Sequence, residues 1–296
     1  RHIITFVGGQ GMIVLALSFL SREAGGTYKM YIGEAKDIEL LPNVKGTARY
    51  IWKISLLYLL IGTVILWMTG LYIGLKPVES LLHAFTMFAS SWSTGGFAPK
   101  SQNIIYYHSM LYEMICTIFC VLGSFNFGVH YAVWKGNKKE LFKNIEIRSF
   151  AITSILSSLI LLTYFNKNNQ YADTIVAFRR VIFNLLSAHT TTGFGNVYAR
   201  QFLYDWKEFG IAILVIVMVI GGSACSTAGG IKGLRMGLLM KGILSDIKKL
   251  IRSDREIQVN KIHHIKTIML TDSMIKSAAI ITICYINVIK RCLLHK

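Results

Sequence analysis

Apolar residues in this chain run in long unbroken blocks, and the charged residues are gathered into the gaps between them. Ile54–Gly74 is 21 residues without a charge. At about 1.5 Å per residue, a helix of that length covers the ~30 Å hydrocarbon core of a bilayer. Ser149–Phe165 and Phe209–Cys225 are further uncharged runs, and Ser109–Trp134 carries one acid, Glu113. His2–Leu20 and Met274–Ile289 are candidate spans near the two ends, the second with Lys276 near its start. Two shorter apolar segments, Val78–Trp92 and Thr174–His189, lie between long ones. A helix of some 15 residues reaches only about 23 Å, enough to enter a membrane and stop. Backbone that turns back at that depth survives only where it is buried in protein or lines a water-filled cavity.

These blocks form a repeat: long span, short apolar segment, Thr/Gly loop, long span, basic linker. The short segments end on nearly the same words, Ser93-Thr94-Gly95-Gly96-Phe97 and Thr190-Thr191-Thr192-Gly193-Phe194, with Gly96 and Gly193 97 residues apart. A potassium ion sheds its water only where other oxygens replace it, and a strand of successive carbonyls with Thr hydroxyls at its base supplies them. Glycine admits the dihedrals that such a strand demands. The filter candidates are therefore Ser93, Thr94, Gly95, Gly96, Thr190, Thr191, Thr192 and Gly193, with Thr94, Gly95, Thr191 and Thr192 as the K⁺ ligands. One such segment would read as a glycine turn between helices; two in the same context point to ion coordination. The short helices would aim their carbonyl ends, which carry partial negative charge, at the ion.

Composition agrees with a membrane setting. The chain is 53% hydrophobic and 16% charged, where soluble domains carry about 25% charged residues. The net charge of +17 raises the possibility of nucleic acid, but its distribution decides otherwise. Arg22–Lys53, Lys135–Arg148 and Lys232–Lys266 together hold twenty Lys/Arg; Leu75–His108, Asn166–Arg180 and Gly195–Lys207 hold seven. This is positive-inside asymmetry. It places the basic linkers in the cytoplasm, against anionic lipid, and the Thr/Gly loops toward the outside. No aromatic-interleaved basic patch or nucleic-acid module is present. The five cysteines (116, 120, 225, 284 and 292) lie outside any CxxC pair and read as small apolar packers.

The organisation is then 1–21, second span of a partial first unit; 22–53, cytoplasmic linker; 54–134, a whole unit; 135–147, linker; 148–245, a second whole unit with a broken last span; 246–272, linker; and 273–296, the start of another unit. The break is predicted at Gly221, Gly222, Ser223, Ala224, Cys225, Ser226, Thr227, Ala228, Gly229 and Gly230, because each Gly costs roughly 1 kcal/mol relative to Ala in a helix. An irregular loop there could block or clear a pore; the alternative is close helix packing through small residues. A phosphate loop is excluded, since Gly229 is followed by Gly230-Ile231 and not by Lys-Ser/Thr. His83 and His189 read as packed histidines. Arg179 and Arg180, costly in lipid, are expected to reach water or carboxylates at the outer face. With only Glu113 expected to be buried and no nucleophile–base pair or metal cluster in the spans, an enzyme is not indicated.

On these residues the chain resembles the Trk/Ktr/HKT potassium transporters, whose pore subunit joins four span–pore-loop–span units in one polypeptide. Ser93–Phe97 resembles the second filter segment, Thr190–Phe194 the third, and Gly221–Lys232 the intramembrane gating loop, with Cys225 and Ala228 where the family usually has more glycine. Gly8-Gly9-Gln10-Gly11-Met12 resembles the span after the first filter, and the linker around Leu41-Pro42, Thr47-Ala48 and Trp52-Lys53 looks most like the Trk branch. The resemblance implies an all-α polytopic protein of the cytoplasmic (inner) membrane, arranged pseudo-fourfold around a pore that takes up K⁺ and needs no organic cofactor. It also implies a homodimer and a cytoplasmic ring of nucleotide-binding regulatory subunits, reached through the basic linkers with Lys232 and Arg235. A Na⁺ or mixed K⁺/Na⁺ transporter would share the layout; a Ser in place of the filter Gly is the family's Na⁺-leaning sign, and both segments here carry Gly. The first and fourth filter segments would fall outside residues 1–296, so the chain is expected to be an internal fragment, non-conducting by itself.

Overall fold

The computed structural model describes residues 1–9, 44–168, 170–171, 173–251, 261–264 and 266–294. Gln10-Gly11-Met12 and the rest of the first expected span, the linker to residue 43 with Leu41-Pro42, and residues 252–260 of the last linker lie outside the described residues.

Residues 2–9 are helical. There follow α1 (Val44–Tyr72), α2 (Pro77–Trp92), α3 (Met110–Gly123), α4 (Phe127–Trp134), α5 (Ile145–Lys167), α6 (Thr174–His189), α7 (Ala199–Val219) and α8 (Gly233–Ile251). A two-stranded antiparallel hairpin, β1 (Lys261–His264) and β2 (Lys266–Met269), precedes α9 (Asp272–Leu294). Among the described residues, Arg49–Tyr72 and Ile145–Lys167 are long and apolar enough to cross a membrane, and α3 with α4 passes the same test as a bent pair.

The outward ridges of the long helices are apolar. Leu60, Ile61, Val64 and Met68 of α1 are exposed at a spacing of three and four residues, as are Ile152, Ile155, Leu156 and Leu159 of α5. In water such ridges would drive aggregation; against lipid tails they are ordinary surface. The inward face of α1 is small where α2 meets it: Phe88 lies against Gly62 and Ser80 against Gly70, and the Ser80 hydroxyl donates to the Trp67 carbonyl at 2.9 Å. Each repeat closes over a buried tryptophan. Trp92 stacks on Tyr58 at 4.7 Å, with Phe127 and His130 also around it; Trp206 packs on Phe165 and Phe202.

The repeat is visible in the backbone. α2 and α6 are both 16 residues long, and their first and last residues each differ by 97. Their starts are made differently: Pro77 stands where a missing N–H costs nothing, while the Asp173 carboxylate caps the Ile175 amide at 3.0 Å.

Two expectations need correction. Ser109–Trp134 is not one continuous helix, because α3 and α4 meet at 98°. The Ser124 hydroxyl donates to Val121 and the Asn126 side chain accepts from the Gly128 amide, so two polar side chains end one helix and start the next. α7 starts at Ala199, is interrupted at Lys207 with φ 47°, and ends at Val219, just before the glycine-rich run at which the break is expected. The fold is mostly, not wholly, α-helical, because the linker 246–272 contains the β1–β2 hairpin.

Candidate ion pathway

Both Thr/Gly segments leave their short helix in the same way. The amides of Thr94 and Gly95 donate to Ser91 and Ser90, and those of Thr191 and Thr192 donate to Ala188 and Ser187. Thr94 and Thr191 both take positive φ, 48° and 55°, as do Gly96 and Gly193 at 68° and 87°. For a β-branched residue this costs on the order of 1–2 kcal/mol, and strain of that kind persists only where the surroundings impose it. With the N–H groups turned back to the helix, the strand carbonyls are left for the other side. The Ser93 and Thr190 hydroxyls also bond back, to Ala89 and Leu186. The Thr192 and Thr190 hydroxyls meet at 2.7 Å.

The two segments lie side by side: a Cβ added to Gly96 would fall on the Thr192 carbonyl oxygen and 3.3 Å from the Gly193 carbonyl carbon. The helical residues 2–9 complete one flank. Gly9 sits beside Ser93 and Thr227, Thr5 faces Gly95, and His2 packs edge-on to Phe97.

From Ile220 to Lys232 the chain is non-helical, and it folds back against both segments. Ser223 and Thr227 donate backbone N–H groups to Ser124 and Gly123 at the α3–α4 break, and Cys225 accepts from Phe127. The Thr227 hydroxyl lies 2.9 Å from the carbonyls of both Trp92 and Gly123. The Thr94 hydroxyl lies 2.9 Å from the Thr227 carbonyl, and the Gly229 amide donates to the Thr191 hydroxyl at 2.7 Å. The hydroxyls of Thr94 and Thr191 thus face the loop, which leaves their carbonyls as the groups able to meet an ion. Ser226 bonds within the loop to Ser223, and Ile231 and Gly233 close its base on Val219 and Gly222. Gly221 and Gly230 pack at that base, where either Cβ would meet the other strand. Lys232 is turned back to the Ala228 carbonyl at 2.8 Å, and the Arg235 amide opens α8 by bonding to Lys232.

Glu146 is a functional candidate that the sequence did not reveal. Its side chain is fully buried, and its carboxylate accepts the Ala224 amide of the loop at 2.7 Å. It also lies 3.5 Å from the Asn126 amide group and 3.8 Å from His264 of β1, itself buried. Glu140 is also buried, 2.9 Å from His263. In sequence, Glu146 follows Asn144 and reads as an ordinary first-turn acid; only the returning loop shows what it holds.

Toward the other end of α3 and α6, Arg179 forms a two-pronged ion pair with Glu113, Nε to Oε2 at 2.8 Å and Nη2 to Oε1 at 2.6 Å. Arg180 lies 3.8 Å from Asp205 and over the Tyr171 ring. Both arginines therefore reach carboxylates. His189 is stacked on Phe150 and bonded to Ser154, and His83 packs against Tyr106 and Tyr107, so both are held within the protein. Among the described residues no cluster of His, Cys, Asp and Glu could hold a metal ion.

Paired short helices ending in strained Thr/Gly strands, set beside helices long and apolar enough to cross a membrane, are in keeping with a membrane protein that transports cations. The chain belongs to the family described as "TrkH: Cation transport protein", which it matches over residues 1–294. It is 28% identical over 258 residues to the Trk system potassium uptake protein TrkH of Vibrio parahaemolyticus, covering 85% of this chain and 51% of that one. To the Trk system potassium uptake protein TrkG of Escherichia coli it is 30% identical over 266 residues, covering 88% and 52%. The crystal structure of the potassium transporter TrkH from Vibrio parahaemolyticus matches with a TM-score of 0.78 at 25% identity, over the whole of this chain and 58% of that one. The chain thus spans about half the length of these curated relatives. It is a multi-pass protein of the cytoplasmic membrane, in a family of cation transport proteins.

Proposed function

We propose that this chain supplies two neighbouring quarters of a K⁺-selective pore, with ion coordination by the carbonyls of Thr94, Gly95, Thr191 and Thr192 within Ser93–Gly96 and Thr190–Gly193. The observation that carries this is the matched geometry of the two strands, identical in helix length, amide pairing and positive φ, lying against one another. Units 54–134 and 148–245 are two of four around a pseudo-fourfold axis, flanked by partial units at 1–21 and 273–296 and joined by the cytoplasmic linkers 22–53, 135–147 and 246–272. The loop Gly221–Gly230 is the gate, held under the strands by Thr227 and Gly229. K⁺ is the transported ion, and no organic cofactor is required. The potassium uptake named for the similar transporters supports K⁺ over Na⁺, as does glycine at both 96 and 193. The working assembly is a homodimer in lipid, with a cytoplasmic nucleotide-binding ring acting through the basic linkers and Arg235. Lys232 serves the loop itself.

The test is ⁸⁶Rb⁺ uptake into proteoliposomes holding the protein expressed from its complete gene. Uptake should be suppressed by unlabelled K⁺ at concentrations where Na⁺ leaves it unchanged. Equal competition by both ions would replace this reading with the unselective cation transporter.

A further inference from the structure

The Glu113–Arg179 pair does more than neutralise an arginine in the membrane. The Glu113 carboxylate also accepts from the Asn196 amide group at 3.1 Å. Asn196 Oδ1 in turn accepts from Asn184 at 2.7 Å, and the same Asn184 amide group lies 2.8 Å from the Arg180 carbonyl. Asn196 is two residues past Phe194, whose carbonyl is held by the Ser187 hydroxyl at 2.8 Å. A continuous polar chain therefore runs from α3 in one repeat, through the start of the other repeat's short helix, to the outer end of the Thr190–Phe194 strand. Glu113 is 4% exposed, while Arg179 opens on a cavity of about 360 Å³ that Asn196 also lines.

The repeat shows that the fold does not demand this chain. The 97-residue offset places Leu82, Met87 and Pro99 where Arg179, Asn184 and Asn196 stand around the second strand. The Ser93–Phe97 strand thus forms with the same backbone geometry and none of those side chains. A buried ion pair is poor value as a stabiliser when apolar residues can fill the same places. Its two-pronged geometry fixes position instead.

We propose that Glu113, acting through Arg179 and Asn196, is a positioning residue that sets the outer end of the Thr190–Phe194 strand and thereby the ion preference of the pore. This rests on reading that strand as ion-coordinating. Loss of the carboxylate's charge frees Arg179 and slackens Asn196, and the strand can then settle around a smaller ion.

The experiment compares wild type, Glu113→Gln, Glu113→Asp and Asn196→Ala, each expressed from the complete gene and checked by gel filtration in detergent. The readout is the ratio of K⁺ to Na⁺ needed to suppress ⁸⁶Rb⁺ uptake by half. Glu113→Gln should lose several-fold of the K⁺ preference while uptake persists; Glu113→Asp, which keeps the charge, should recover part of it. Should Glu113→Gln fail to fold, Asn196→Ala decides, since it leaves the ion pair in place and removes the Asn196 bonds to Glu113 and Asn184 that join the pair to the strand. K⁺ preference unchanged in a folded Glu113→Gln, or in Asn196→Ala, overturns the proposal. A wild type with no K⁺ preference would instead overturn the filter reading beneath it.

Discussion

Replacing Gly96 with alanine should abolish K⁺-dependent growth of an uptake-deficient strain, while the same change at Gly193 should only weaken it. Both glycines have positive φ, so both substitutions carry the left-handed backbone cost of about 1–2 kcal/mol. They differ in what the new methyl group meets. At Gly96 it falls on the carbonyl oxygen of Thr192, one of the proposed ligands in the adjacent strand. At Gly193 no described atom lies within 4 Å. Overpacking adds about 1–3 kcal/mol, and every 1.4 kcal/mol lost at an ion site is roughly tenfold in occupancy. Gly96→Ala therefore displaces two strands at once, and uptake should fall by at least about tenfold more than in Gly193→Ala. Gly193→Ser should show its effect chiefly as greater sensitivity of growth to added Na⁺. Equal tolerance at the two positions would mean that the strands do not bear on one another in the working protein.

Deleting Ser223–Ala228 should raise K⁺ flux and loosen any dependence on the proposed regulatory ring. That segment contains Thr227, whose hydroxyl sits between Trp92 and Gly123 and whose carbonyl faces Thr94. It also contains Ala224, held by Glu146. Removing it takes away the proposed obstruction and its tethers together, and leaves the amide pairing of both strands intact, so ion preference should be kept. Thr227→Val is the milder version and should raise flux less. Tracer uptake into proteoliposomes, with and without the ring and its nucleotide, separates the outcomes. Flux no higher in a well-folded deletion protein would make close helix packing the better explanation of the small-residue run.

Much of this arrangement is legible in the sequence because it is written twice. The 97-residue offset, the two short helices and the glycine-rich interruption are all local patterns, and local backbone preferences act on them directly. The bend between α3 and α4 was hidden because Ser124-Phe125-Asn126 is too short a polar interruption to disturb an apolar run, yet two side-chain bonds to the backbone are enough to turn the chain. The partners of Glu146 and of the Thr94 and Thr191 hydroxyls were illegible for another reason. They lie 78, 133 and 38 residues away in the chain, and nothing local to an Asn-x-Glu helix start or a Thr-Gly strand announces a loop returning from so far. The cost of Arg179 in lipid predicts only that it reaches water or a carboxylate; finding Glu113 required the two repeats to be set side by side. The β1–β2 hairpin lies in a basic linker where charge signals membrane topology and masks short strand alternation.

The most direct measurement is anomalous diffraction from crystals of the protein expressed from its complete gene and soaked in Rb⁺. The strongest ion peak should lie between the carbonyls of residues 93–96 and 190–193, should disappear when K⁺ replaces Rb⁺, and should survive an equal concentration of Na⁺. Rb⁺ bound elsewhere, with no peak between the two strands in protein whose uptake is intact, would contradict the assignment of these segments as the selectivity filter.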